Sequence, residues 1–508
     1  MTAVTERTGP AGVEVDVAEP RRTERTDRLA ARLREAVGVE RVLTDRVQLR
    51  TYECDGLANF RVTPAIVVLA ESRDHVVETV RLCAEAGVPF VARGSGTGLS
   101  GGALPTADGV LLVTSRMRAL GPVDPDNARV VVQPGVINLW VTRDATPHGL
   151  AYAPDPSSQL VCSIGGNVAE NAGGAHCLKY GFTVNHVLGA EVVLPDGQVV
   201  HLGGAAPEHP GYDLLGTFVG SEGTLGVATE LTLRLIRVPE AVQTMLVGYR
   251  SVEDAAATVS DIIAAGIVPA AVEMMDALAI EAAEAAVRCG YPAGAVAVLV
   301  IELDGPTVEV EAQFAQVEQI AQRRGAFETR IAADAAERAL MWKGRKSAFA
   351  AVGRISPSYF VQDGVIPRTK LPQVLGDIGR MADEVGLRVA NVFHAGDGNL
   401  HPLVLFDDAV EGQAHAAEDL AGAILDLCIA SGGSITGEHG VGQEKRAKMA
   451  KQFTADDLDT MQLVRCAFDP DGIANPGKVF PTPRLCGERP GPRTGEHPVQ
   501  AAGLGEVF

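Results

Sequence analysis

A two-domain α+β fold is what the sequence predicts, on three observations. Gly/Ser-rich patches at residues 93–102, 154–174 and 220–227 are each flanked by short apolar runs of strand length. Helical stripes and strand-like runs mix within the same stretch. After Val238-Pro239 the texture shifts to Ala-rich helical segments and further apolar strands, as a second sheet-and-helix domain would require. The division expected is a disordered tail over 1–27, a first domain with N-terminal helices over 28–238, a second domain over 239–481, and a loose Pro/Gly/Arg-rich tail over 482–508.

Each element has a local reason. Leu29, Leu33 and Val37, then Val42 and Leu43, lead in at helical spacing. Residues 65–70 read as a strand. Residues 73–86 carry a helical stripe of Val76, Val77, Val80, Leu82 and Cys83, and Gly87 ends it. Strands are expected over 88–92, 110–114 and 129–133, with turns at Gly121-Pro122 and residues 124–127. A hairpin joins 187–194 to 198–202 across Pro195-Asp196-Gly197, and a strand follows over 229–236. Beyond, helices are expected over 252–265, 277–288 and 308–324, with a strand over 296–302.

Composition narrows the function. The chain has 508 residues and a formal charge of −20, which argues against nucleic-acid binding and against adhesion to an anionic membrane. Its eight cysteines are dispersed, with no C-x-x-C pair and no iron–sulfur spacing, as expected of reduced intracellular thiols. Residues 1–27 lack the apolar core of a signal peptide, and the longest apolar run, 295–301, is far short of a membrane span. A cytoplasmic protein is expected.

The chain is organised around residues 93–102, RGSGTGLSGG. Bare N–H groups on so glycine-rich a loop suit a phosphate or pyrophosphate. Gly96–Gly101 is a literal G-x-G-x-x-G, but the helix that should open from it and the acidic residue about 20 positions on that a Rossmann site needs are absent. The Gly-Lys-Ser/Thr of a Walker loop is absent too. A strand–loop–strand that holds a pyrophosphate without a helix remains. Apolar strands on both sides disfavour the alternative, a flexible linker.

Three later segments carry chemistry. His394 and His401 bracket Gly396-Asp397-Gly398-Asn399, a forced turn between strands 388–393 and 402–406. Imidazoles at two strand ends beside one turn either share an ion or serve as hydrogen-bonded structural groups; with 11 histidines in the chain, the pairing favours ligands. Glu438 and His439 lie between Gly437 and Gly440, either in an irregular turn that lets both reach one cavity or at an acid-capped helix N-terminus. Arg345, in Met341-Trp342-Lys343-Gly344-Arg345-Lys346, is suited to a carboxylate, the alternative being a solvated basic helix face.

The patches over 60–238 resemble the FAD domain of flavoproteins of the vanillyl-alcohol-oxidase (PCMH) type. That resemblance implies FAD, with its pyrophosphate on Arg93, Gly94, Ser95, Gly96, Thr97 and Gly98. It places Pro156, Ser157, Ser158, Gly165, Gly166, Asn167, Asn171 and Gly173 along flavin and ribityl, and Glu222, Gly226 and Val227 towards the adenine half. FAD is expected to be non-covalent, with His176 a solvated loop residue and not an attachment point. Residues 341–346, 394–401, 436–442 and 468–478 resemble the antiparallel α+β C-terminal domain of FAD-linked D-2-hydroxyacid dehydrogenases, in particular their glycolate-oxidising branch. By that resemblance His394, His401 and Glu438 match ligands of a divalent metal (zinc, manganese or iron), His439 the catalytic base, Arg345 the carboxylate anchor, and Asn475 a closing segment returning to the flavin.

The activity implied is oxidation of a small 2-hydroxy acid to the 2-oxo acid. Metal coordination would lower the hydroxyl pKa, and His439 would take the proton as a hydride leaves for flavin N5. Relatives that take a diacid carry an extra basic residue in the strand matching 359–363. This chain has none there, which favours glycolate, or D-lactate, over 2-hydroxyglutarate. Electrons are expected to pass to an iron–sulfur partner subunit or quinone, beside a second FAD-domain subunit, with attachment to the inner face of the membrane only through partners. The rivals are a D-lactate or D-2-hydroxyglutarate dehydrogenase acting alone and a non-catalytic flavin subunit.

Overall fold

The computed structural model describes residues 20–58, 60–206 and 210–481. The expected tail over 482–508, and residues 1–19 of the N-terminal one, lie outside them. The described chain divides into two compact units. One comprises residues 20–176, 180–238 and 438–481, the other residues 177–179 and 239–437.

In the first unit a helix runs over Glu24–Val37, so that its first turn, 24–27, lies within the stretch expected to be tail. Thr23 starts it, because its hydroxyl accepts from the Thr26 N–H while Thr26 reciprocates. The apolar stripe at 73–86 becomes helix Arg73–Ala86, capped by Ser72 and ended by Gly87 at φ +57°. Strands Ile66–Leu69, Val110–Val113 and Phe90–Arg93 pair in parallel, with Val42–Leu43 antiparallel on the outer side of Ile66–Leu69. The glycine loop thus connects two adjacent parallel strands with no helix between them. A second, antiparallel sheet holds Arg129–Val132, Val227–Arg234, Val187–Val193 and Val199–Gly203 in that order. Buried clusters around Val68, Phe90 and Leu112, around Val132, Val192 and Leu231, and around Val67, Val91 and Leu111 pack this unit.

The segment 438–481, expected in the second domain, belongs to the first unit. Its backbone is tied there at several points. The Phe90 N–H donates to the Ile473 carbonyl and the Asn475 N–H to that of Phe90, covering the edge of the parallel sheet. Lys478, buried, donates through Nζ to the Leu104 carbonyl at 2.8 Å.

The second unit is built on an antiparallel sheet in the order Glu328–Ile331, Ala241–Tyr249, Ala297–Gly305, Ala271–Asp276, Arg388–His394, Asn399–Leu400, Gly364–Val365. Pro402–Phe406 pairs with both Arg388–His394 and Ser358–Val361. Helices Val252–Ala264, Thr307–Arg323, Leu371–Val385 and Gln413–Ala430 bury their apolar faces in one cluster around Val247, Leu299 and Phe393. Among the described residues no helix is long and apolar enough to cross a membrane.

Asp276 ends strand Ala271–Asp276 and caps helix Ala277–Val287 through the Ala279 N–H at 3.0 Å, while also accepting from the backbone and side chain of Asn391. Burial pushes its carboxyl up to about 6, against these hydrogen bonds. The folded chain therefore keeps a proton that the unfolded chain releases near 3.8. The associated stability is present below that value and is lost as pH rises through 6, about 3 kcal/mol in all. Urea unfolding between pH 4 and 7 should show this decline, and Asp276→Asn should lack it; equal slopes in the two proteins would contradict it.

Candidate functional site

In the first unit parts of the glycine loop are crowded by their surroundings. A Cβ on Gly94 would collide with the Ser163 hydroxyl, which accepts the Ser95 N–H at 3.2 Å. Gly96 has φ +68°, and a Cβ there would strike the Arg93 guanidinium. Arg93 itself donates to the carbonyls of Tyr52 and Cys54, so it braces the loop from beneath. A cavity of about 390 Å³ opens beside the loop, lined by Arg93, Gly94, Ser95, Arg118, Ile137 and Leu160. A guanidinium-braced row of N–H groups beside apolar walls can take a phosphate-bearing ligand with a flat apolar part.

The second patch forms the short helix Ile164–Glu170, ended by Asn171 in the left-handed region. Gly165 lies against Pro134, where a Cβ would come within 2.5 Å. Asn167 is buried, accepting from Asn138 at 3.0 Å. Pro156 and Ser158 turn the preceding loop with their carbonyls, while Ser157 is exposed. His176 pairs with Asp155 at 3.0 Å. Gly226, at φ +147°, passes the Val193 carbonyl, and Val227 is buried at the start of its strand.

Glu222, expected towards an adenine, is turned inward. It sits at φ +52°, and its carboxylate accepts from the N–H groups of Val441 at 2.6 Å and Gly442 at 2.7 Å. The segment after His439 is thereby clamped to the rest of the first unit. The fit is close: a Cβ on Gly440 would strike Glu170 and Glu222, and one on Gly173 would come within 2.7 Å of Glu438. Residues 438–440 form an irregular bend, not a helix start. Asn475 bridges the same region, donating to the carbonyls of Gly102 and Glu222. Burial, and then the neighbouring Glu222 charge, push the Glu170 carboxyl well above the ordinary range; burial raises Glu222 as well.

In the second unit His394 ends strand Arg388–His394, and His401 follows the two-residue strand Asn399–Leu400. The hairpin turns at Gly398, whose φ of +79° and closeness to the Ile366 carbonyl exclude a side chain. It brings the imidazoles edge to face, 5.1 Å between centroids. Both are buried.

Glu273 lies opposite His394 on the neighbouring strand. Its Oε1 is 2.6 Å from His394 Nδ1, and its Oε2 accepts from Arg345 Nε at 2.7 Å, with Nη2 equally near. Burial opposes the charge on Glu273, but Arg345 and His394 together hold its carboxyl below the usual value. Arg345 is 2% exposed, on helix Ala335–Val352, so it does not belong to a solvated basic face. His401 stands 3.4 Å from Asp363, which is buried and accepts from the Thr436 hydroxyl and the Gly437 N–H.

Sequence reasoning missed Glu273 and Asp363. The signal for Glu273 was a lone charge inside the apolar strand Ala-Val-Glu-Met-Met-Asp, a placement rarely tolerated without a partner. For Asp363 no local motif exists.

The arrangement fits the groups it suggests. The Glu273 carboxylate on Nδ1 of His394 orients that ring as an outer partner orients a metal-binding imidazole, and imidazole donors suit zinc or ferrous iron while a carboxylate beside them suits manganese. Glycines pressed against neighbouring atoms beside a cavity lined by Arg93, Gly94 and Ser95 suit the close approach of a pyrophosphate such as that of FAD.

Comparison with known proteins bears on the FAD part of this description. Residues 64–203 match the FAD binding domain, and residues 238–479 match the FAD linked oxidases, C-terminal domain. The chain is 51% identical to glycolate oxidase subunit GlcD of Escherichia coli K12, over 92% of this chain and 93% of that one. It is 39% identical to GlcD of Bacillus subtilis, over 84% and 92%. A D-lactate dehydrogenase of Anaerostipes hadrus is 33% identical over 82% and 90%. Among solved structures, 4-ethylphenol oxidase from Gulosibacter chungangensis has a TM-score of 0.75 at 17% identity, covering 92% of this chain and 99% of that one. p-Cresol methylhydroxylase with bound substrate has a TM-score of 0.75 at 17% identity, over 91% and 98%, which establishes the shared fold. The chain belongs to the GlcD family of FAD-linked oxidases and is a flavoenzyme.

Proposed function

We propose that this flavoenzyme oxidises a small 2-hydroxy acid, glycolate or D-lactate, to the 2-oxo acid. The paired buried imidazoles of His394 and His401, one fixed through Glu273 to Arg345, carry this reading. A flavin subunit folded only for electron transfer or assembly would have no use for them, which disfavours a non-catalytic role. The relatives named for glycolate and D-lactate support the substrate class.

In this reading His394, His401 and Glu438 hold a divalent cation. Residues Arg93–Gly98, Pro156–Ser158, Gly165–Asn167, Asn171, Gly173, Gly226, Val227 and Asn475 line FAD, with Glu222 supporting them from behind. When bound, FAD takes up a hydride equivalent and the cation makes a nearby hydroxyl more acidic. Arg345 anchors the substrate carboxylate: a guanidinium has five N–H donors, and those not directed at Glu273 remain for it. His439 accepts the hydroxyl proton as the Cα–H bond breaks. Two hydrogens leave the substrate, one as a proton on His439 and one with its electron pair, and a C=O bond forms.

The dispersed cysteines give this chain no cluster spacing of its own. The electrons therefore pass to an iron–sulfur partner subunit or to quinone, alongside a second FAD-domain subunit. The enzyme works in the cytoplasm, at the inner face of the membrane only through those partners.

Strand Ser358–Val361 and the following Gln362-Asp363 contain no Lys or Arg to meet a second carboxylate. Stopped-flow reduction of the flavin should therefore be faster with glycolate or D-lactate than with D-2-hydroxyglutarate by about tenfold or more, roughly one charge-assisted hydrogen bond. A preference for the diacid would overturn the monoacid assignment.

A further inference from the structure

We propose that Glu273 is a positioning residue that serves two groups at once, setting the ring of His394 for the cation and the guanidinium of Arg345 for the substrate carboxylate. The inference rests on the reading of the site given above and adds a residue to it. One carboxylate is divided between two partners: Oε1 faces His394 Nδ1 at 2.6 Å, and Oε2 faces Arg345 Nε and Nη2 at 2.7 Å. Both partners and Glu273 itself are buried.

The backbone enforces this division. Glu273 pairs directly with His394 across two antiparallel strands in the interior of the sheet, so its side chain cannot drift from the imidazole without breaking register. Arg345 comes from helix Ala335–Val352, where the guanidinium is further confined by the Phe349 ring 5.7 Å away. A carboxylate 2.6 Å from Nδ1 fixes the orientation of the imidazole ring, as an outer partner of a metal-binding histidine does. The same carboxylate fixes one edge of the guanidinium, so the remaining donors point in a defined direction. Glu273 thus links the placing of the cation to the placing of the substrate, from a strand that neither is proposed to touch.

The test uses the full-length, FAD-loaded protein, stripped of metal and titrated with Mn²⁺ alone. Glu273→Gln, which keeps the shape but loses the charge, should retain FAD and bind Mn²⁺ about 10–100-fold more weakly. At saturating Mn²⁺ its KM for glycolate should rise about tenfold, with a smaller fall in kcat. In a His394→Ala background the same change should leave Mn²⁺ affinity unaltered, a coupling that general loosening of the fold would not produce. Glu273→Asp, which keeps the charge but cannot span both partners, supplies the same comparison should the Gln protein not fold, and it too should bind Mn²⁺ more weakly. Wild-type Mn²⁺ affinity in the folded Gln or Asp variant would overturn this inference alone. Absence of Mn²⁺ binding by the wild-type protein would overturn the reading of the site along with it.

Discussion

Replacing His439 with alanine leaves FAD bound and slows reduction of the flavin by glycolate about 10²–10⁴-fold, the range expected when a positioned general base is lost. Most of the residues proposed to hold FAD are shaped by contacts that do not involve the His439 ring. The loop over 94–98 is shaped by Ser163 and Arg93, and helix Ile164–Glu170 by its packing on Pro134. The backbone on the C-terminal side of His439 is held independently of the imidazole, by the Glu222 carboxylate on the N–H groups of Val441 and Gly442. Truncation at Cβ should therefore remove the base without releasing the segment. Absorbance of the purified variant reports FAD content, and anaerobic stopped-flow reports the rate. A yellow variant reduced at the wild-type rate would refute the base assignment.

Removing divalent metal by chelation should cost at least about 100-fold in the same reduction step, since a cation polarising a substrate oxygen is worth several kcal/mol. FAD should stay bound, because two of the three proposed cation ligands, His394 at the end of its strand and His401 between two strands, sit on a sheet that does not carry the glycine loop. Restoring zinc, manganese or ferrous iron should recover the rate with one of the three. Elemental analysis before and after chelation makes the result decisive: full activity in metal-free protein would contradict the assignment of His394, His401 and Glu438.

Local signals in the sequence carried much of the fold, and they succeeded where the physics is local. Helix Arg73–Ala86 was legible because a buried stripe, a serine cap and a left-handed glycine stop all agree. Strands Val187–Val193 and Val199–Gly203 were legible from Pro-Asp-Gly between two apolar runs. The glycine loop was legible because a run of glycines has few uses other than close approach. What was not legible depends on contacts between residues far apart in the chain. Strands Ala241–Tyr249 and Ala271–Asp276 lie inside the large sheet, yet neither has an alternating pattern that separates it from its surroundings. The return of 438–481 to the first unit follows from Glu222, Asn475 and Lys478 bonding to distant backbone, which no window of sequence contains. Arg345 looked equally suited to solvent because its burial comes from Glu273, 72 positions away.

One measurement tests the central claim most directly. The purified, FAD-containing protein is titrated anaerobically with glycolate while the flavin absorbance is followed and the product is analysed. The account predicts stoichiometric bleaching and one equivalent of the 2-oxo acid, glyoxylate. A flavin that stays fully oxidised in excess glycolate and excess D-lactate, in protein shown to contain its metal, would contradict it.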